Sequence, residues 1–190
     1  MQLPAPITKG TVSVEEALST RRSRRRFHDG ELTSEQISQL LWSAQGAGVR
    51  GLRHAPSAGA TYPLELYVAT AHGVFHYEPM LHQIEVAISG DCRPQLRKAC
   101  LNQSWVDHAP AVFIIAAVYE RTAMVYGPRA ERYVHMEAGH AAQNIHLQAV
   151  ALGLGSVPVG AFRDKEVKQA LSLPADHEPL YVIPVGYSAE

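Results

Sequence analysis

Residues 129–152 read RAERYVHMEAGHAAQNIHLQAVAL, and Gly153 and Gly155 follow. Ala130, Tyr133, Val134, Glu137, Ala141, Ile145, Gln148 and Leu152 recur at helical spacing along it. That stripe predicts the longest helix of the chain, roughly 36 Å from end to end. Its middle is small: Ala138, Gly139, Ala141 and Ala142 permit close approach of a second helix. The two glycines are stop signals, because they relax into the left-handed conformation that ends helices.

Strands surround this helix. Upstream, Ala111–Val118 (AVFIIAAV) is a continuous apolar run and reads as a strand buried on both faces. Earlier still, Leu64–Ala71 is rich in β-formers, His72-Gly73 turns the chain, and Val74–Tyr77 returns. Gln83–Ser89 alternates through Ile84, Val86 and Ile88, and Arg93–Asn102 reads as helix. Downstream, Ser156–Val159 is a short strand, Asp164 is a candidate N-cap for a helix through Leu171, and Leu180–Tyr187 is a last strand. At the other end, Pro4 and Pro6 make residues 1–12 an irregular arm. Ser13 with Glu16 and Thr33 with Gln36 are capping boxes. They open one helix at Val14 and another running to about Ala47, with Ile37, Leu40, Leu41 and Ala44 on its apolar face. Helices and strands mix without strict βαβ alternation, so the predicted class is α+β, a sheet flanked by helices, in one domain over residues 13–190.

Composition excludes several functions. With 46% hydrophobic and 18% charged residues the chain is globular, and a formal net charge of −1 argues against a general nucleic-acid binder. Cys92 and Cys100 form no CxxC pair and no disulfide framework, which fits free thiols in a reducing compartment. MQLPAPITKG lacks an apolar signal region, and no run approaches the roughly 20 apolar residues of a membrane span. The expectation is a soluble cytoplasmic protein.

Chemistry concentrates in three segments. Residues 21–26, RRSRRR, offer guanidinium groups and a hydroxyl that suit phosphate, although a solvated face or a nucleic-acid patch are alternatives. Pro56-Ser57-Ala58-Gly59-Ala60 is a small-residue loop that would let backbone approach a flat ligand, or a plain turn. Gly153–Gly160 (GLGSVPVG) follows a helix instead of opening one, so it is not a dinucleotide fingerprint. Ten histidines show no zinc-binding spacing, and no metal is expected. No nucleophile elbow or acid–base pair is visible, which suits chemistry carried by a cofactor.

Together RRSRRRF (21–27), PSAGATYPLELY (56–67), residues 126–162 and PLYVIPVGY (179–187), in this order, resemble the nitroreductase superfamily, and most closely its SagB-type branch. The resemblance spans about residues 13–188. It implies a mostly antiparallel central sheet flanked by helices, a homodimer that completes the domain, and FMN at the dimer interface. It places Arg21, Ser23 and Arg25 at the flavin phosphate and ring edge, with Arg22 adjacent. It places Pro56, Ser57, Ala58 and Gly59 over the isoalloxazine from the partner subunit. Pro158, Val159, Gly160 and Ala161 would meet the flavin's other edge, with a backbone N–H facing N5. The implied activity is reduction of FMN by NAD(P)H, followed by reduction of a nitro, quinone or similar electron-poor small molecule. Arg25 is the candidate to stabilise negative charge near N1 and O2.

Two departures from the pattern matter. Azoline-oxidising members of the SagB-type branch carry Lys-Tyr where this chain has Val125-Tyr126, so a candidate base is lost and Tyr126 remains as the candidate catalytic group. Many relatives also bring a basic residue to the phosphate from a C-terminal extension. Here the spare arginines of the cluster are expected to compensate. The alternatives to a reductase are a SagB-type dehydrogenase modifying a peptide or metabolite, and a non-catalytic anion-binding module on the same fold.

Overall fold

The computed structural model describes residues 1–48 and 51–190. Its centre is strand β4 (Ala111–Ala117), the apolar run read as a doubly buried strand, and every one of its side chains is buried. Strand pleating explains this. Ala111, Phe113, Ile115 and Ala117 enter one hydrophobic cluster, while Val112, Ile114 and Ala116 enter a second on the opposite face. Around it lie β1 (Leu64–Thr70), β2 (Gly73–Glu78), β3 (Gln83–Ser89), β5 (Gly155–Ser156) and β6 (Glu178–Gly186). They form one six-stranded sheet in the order β3-β2-β1-β4-β6-β5, and all its strand pairs are antiparallel.

Helices cover both faces. The first cluster takes apolar side chains from α2 (Ser34–Gln45) and α6 (Ala130–Ala151), and the second from α3 (Arg93–Ala99), α4 (Trp105–His108) and α7 (Asp164–Ala170). Helix α1 (Val14–Thr20) packs on α6 and starts at the Ser13 cap, whose hydroxyl accepts from the Glu16 amide. Helix α2 opens with the complete Thr33–Gln36 capping box. The arm of residues 1–12 is pinned at its start: Gln2 pairs with Gln83, and the Ile84 amide donates to the Met1 carbonyl at 2.9 Å, which covers part of the exposed edge of β3.

Several expectations are corrected. Helix α5 (Tyr119–Tyr126) has no counterpart in the sequence reading, because its N-cap is Val118 and no side chain caps it. Asp164 is the first residue of α7 and not its cap, which is Arg163; the acidic pair Asp164 and Glu166 favours the helix start through the dipole instead. Ile84, Val86 and Ile88 do not share a face. Register shifts where Val74 faces Ile88 and Phe75 faces Val86, so the bulge at Ala87 turns Ile88 to the second cluster while Ile84 enters the first, and Val86 on this edge strand stays 62% exposed. On α6, Tyr133, Gln148 and Leu152 are only half-buried, while His146 and Ala149 join the buried face. Ala138, Ala141 and Ala142 belong to the chain's own core beside α2, so three of the four small residues are spent within the subunit. Among the described residues no helix is long and apolar enough to cross a membrane.

Candidate functional site

The arginine segment leaves α1 as extended chain. Ser23 makes a parallel bridge to Ser156 of β5, and Phe27 bridges Ser188 just past β6. Extended backbone sends alternate side chains to opposite sides. On one side stand Arg21, Ser23 and Arg25. Arg21 lies close enough to the buried His146 to disfavour its protonation, and the Arg25 guanidinium sits 5.5 Å over the Trp105 ring. The other side holds Arg22, Arg24 and Arg26. Arg24 and Arg26 pair with the Glu190 carboxylate at 3.8 and 3.3 Å, and Arg22, Arg24 and Glu190 line one small recess. Arg22 also donates to the carbonyls of Ser19 and Arg21, at 3.1 and 2.7 Å, closing the end of its own helix. The expected cofactor row is therefore brought together without Arg22. Gly155 is required here, because a Cβ would come within 2.8 Å of the Arg24 Cβ.

The row continues along residues 156–161. Val159 exchanges hydrogen bonds with Val182 at 2.8 and 3.0 Å, which uses its N–H, and Pro158 has none. The next two N–H groups, of Gly160 and Ala161, bond to no protein group among the described residues. Gln103 donates its amide to the Ala161 carbonyl at 3.0 Å and to Cys100 at 2.9 Å, which holds the turn in place. Two buried nitrogens flank the same row with no hydrogen-bond partner among the described residues, Trp105 Nε1 and His146 Nε2. Sequence reasoning missed Trp105, Gln103 and His146, because nothing local to them signals that distant segments converge there.

The small-residue loop forms a second group. Gly59, Ala60 and Tyr62 all have positive φ, at 57°, 51° and 46°. Two of these are not glycine, so the loop stores strain and must be held. The Ser57 hydroxyl accepts from the Tyr62 amide at 3.0 Å, and Thr61 shares a hydrogen bond with Thr122 of α5 at 2.8 Å. Arg121 donates to the Tyr62 carbonyl at 3.0 Å and pairs with Glu65 at 2.5 Å, and the Arg53 guanidinium lies 5.0 Å over the Tyr62 ring. Tyr126 closes the loop from above: a Cβ at Gly59 would lie 2.8 Å from its hydroxyl oxygen. The loop and the candidate catalytic tyrosine are thus one unit. Gly59→Ala is expected to cost about 1–2 kcal/mol through its positive φ and this contact, measured by urea unfolding. Adding Tyr126→Phe should recover part of that loss; no recovery would mean the hydroxyl is not what the new methyl meets.

These two groups do not meet within one chain. Ser57 lies beside Glu137 in the first half of α6, and Ser156 binds His146 in its second half at 2.7 Å. Nine residues of helix separate them, about 13 Å. Neither cysteine offers a nucleophile, because burial pushes the Cys92 thiol to about 11 and the Cys100 thiol to about 12.

The donors present suit FMN. Two cations and a hydroxyl share one side of the segment, which suits a phosphate and the edge of a ring, and backbone N–H groups without a partner among the described residues follow along the same row. Residues 18–187 match the model of the Nitroreductase family. A protein of Methanocaldococcus jannaschii named as a nitroreductase is 44% identical over 186 residues, covering 94% of this chain and 93% of that relative. A crystal structure from Ralstonia eutropha, also named for a nitroreductase, superposes with a TM-score of 0.89 at 29% identity over 100% of this chain and 90% of that one. Another, from Desulfovibrio desulfuricans and solved in complex with FMN, shares the fold with a TM-score of 0.72 at 24% identity, covering 93% of this chain and 87% of that one. The chain belongs to the nitroreductase family and is a flavin-dependent oxidoreductase.

Proposed function

We propose that this protein is an FMN-dependent reductase that takes electrons from NAD(P)H and passes them to nitro, quinone or similar electron-poor small molecules, working as a homodimer. The observation that carries the reading is the one-sided row Arg21–Ser23–Arg25, ending at the N–H groups of Gly160 and Ala161, which have no partner among the described residues. Arg21 and Ser23 would hold the phosphate of FMN, Arg25 would face its ring edge, and the Gly160 or Ala161 N–H would face N5. Bound FMN supplies the hydride or single electrons. Protein residues bind, orient and exclude water, which accounts for the lack of a protein nucleophile. Separation of the loop unit from this row supports a dimer, in which Pro56, Ser57, Ala58 and Gly59 of one subunit cover the flavin held by the other. Exposed apolar side chains fit that assembly: Met124 is 74% exposed, Val125 62% and Met136 48%. Val125 offers no proton acceptor beside Tyr126, so the loop unit presents the tyrosine hydroxyl alone.

The donor is expected to leave before the acceptor enters the same cavity. Purified protein should be yellow and dimeric. NADH or NADPH should bleach the flavin band anaerobically, and a nitroaromatic or quinone should restore it. A colourless protein that takes up no FMN when it is added would sink the proposal.

A further inference from the structure

Tyr62 is strained twice over. Its φ is 46°, and it precedes Pro63, which favours extended backbone at that position. Its carbonyl is held by Arg121, which donates from one guanidinium nitrogen to Tyr62 and from the other to Glu65. Glu65 stands on strand β1 with 9% of its surface exposed, and takes a second hydrogen bond from His76 Nε2 of β2 at 2.6 Å. Burial works to raise the Glu65 carboxyl, yet the His76 hydrogen bond and the Arg121 charge hold it below the usual range, so the anchor is ionised. The planar guanidinium fork therefore spans a fixed distance from the sheet to the loop. Arg121 belongs to a longer clamp, in which α5 and its N-cap meet the loop in reverse order. The Val118 amide donates to the Pro63 carbonyl at 2.8 Å, Arg121 to Tyr62, the Thr122 hydroxyl shares a hydrogen bond with Thr61, and the Tyr126 hydroxyl lies against Gly59. Arg121 ties that clamp to β1 through Glu65.

We propose that Arg121, anchored on Glu65, is the positioning residue that keeps residues 57–62 in their strained form and so sets how closely this loop lies over the flavin ring. The inference rests on the reading of Pro56, Ser57, Ala58 and Gly59 as the cover of the flavin held by the partner subunit. Such a cover meets the ring and not the phosphate. Loosening it weakens FMN and riboflavin alike, whereas loss of Arg21 weakens FMN alone.

Hydrogen exchange of the purified protein reads the loop directly. The amides of Ala60, Thr61 and Tyr62 are each hydrogen-bonded within the loop. In Arg121→Met they should exchange about tenfold faster, with the amides of β4 unchanged. Titration of the flavin-free protein should show FMN and riboflavin affinities falling by one common factor, about fivefold, because a smaller share of the molecules holds the loop in place. Arg121→Lys keeps a charge beside Glu65 but not the fork, and should recover part of both losses. Glu65→Gln keeps the shape of the anchor without its charge. It should speed the same loop amides more weakly, and it carries the test if Arg121→Met does not fold. Exchange that accelerates throughout the chain, or nowhere, overturns the role of Arg121 and leaves the FMN reading intact. Faster exchange confined to the loop, with flavin affinities unchanged or with a loss for FMN alone, overturns the link from this loop to the flavin ring. Wild type that takes up neither flavin overturns the FMN reading and this role together.

Discussion

Alanine at both Arg21 and Arg25 is expected to weaken FMN binding by about a hundredfold or more, while Arg24→Ala and Arg26→Ala each leave it within about threefold. Charge-assisted hydrogen bonds from guanidinium to phosphate or ring oxygen are worth about 1.5–3 kcal/mol each, so two of them multiply to that range. The contrast comes from the geometry. Five arginines are adjacent in sequence, yet the bridges at Ser23 and Phe27 fix an extended register that sends them to two sides. Arg24 and Arg26 are spent on Glu190, and Arg22 on the carbonyls at the end of α1. The spare arginines are therefore poorly placed to replace a basic residue from a C-terminal extension. Fluorescence titration of each flavin-free variant checks this. Arg21→Ala and Arg25→Ala made singly that lose no more than Arg24→Ala and Arg26→Ala would mean that the cluster acts as a diffuse cationic patch and not as a one-sided row.

Sequence showed which segments carry chemistry, but not which side of each segment. Residues 111–118 were readable as a buried strand because eight consecutive apolar side chains need cover on both faces, and the seven that form β4 have it. Helix α6 was readable because its stripe repeats over six turns. Helix α5 was not, since Tyr119–Tyr126 has no side-chain cap and only about two turns over which a pattern could repeat. The bulge at Ala87 was invisible because Ile84, Val86 and Ile88 alternate correctly for an unbroken strand, and only pairing with β2 reveals the slip. At the site, the residues of RRSRRR alone pointed to an anion and the resemblance singled out Arg21, Ser23 and Arg25, whereas the pairing of Arg24 and Arg26 with Glu190 is visible only in the fold. Tyr126 and Gly59 were singled out separately, and their contact required the α5 helix that the sequence did not disclose. His146 and Glu137 are harder still. Each looks like an ordinary helical residue until the chain folds Ser156 onto one and Ser57 onto the other.

Glu137 yields the strongest expected dependence on pH. Its side chain lies on the buried face of α6 with 3% of the residue exposed, and Oε1 has no hydrogen-bond partner. Burial raises its pKa to about 7, against the opposing pull of Ser57, Arg53 and Gln45. In an unfolded chain a glutamate titrates near 4.3. Between that value and about 7 the folded protein holds a proton that the unfolded chain has released, so stability falls as pH rises through the window. Above it, the folded state carries a buried carboxylate and the loss is complete. Glu137→Gln removes the ionisation but keeps the shape. It is expected to match wild type at pH 4, and to exceed it at pH 8 by on the order of 2 kcal/mol. Urea unfolding across that range measures the difference. Parallel pH profiles for the two proteins would show that Arg53 fully compensates the ionised carboxylate. The position of the residue gives the result a functional edge. Ser57 already accepts from the Tyr62 amide, so its own hydroxyl proton is free to meet Glu137. Ionisation of Glu137 thus strengthens the hold on the strained loop while weakening the core beneath it. A reductase whose loop covers the flavin of its partner would feel both effects near neutral pH.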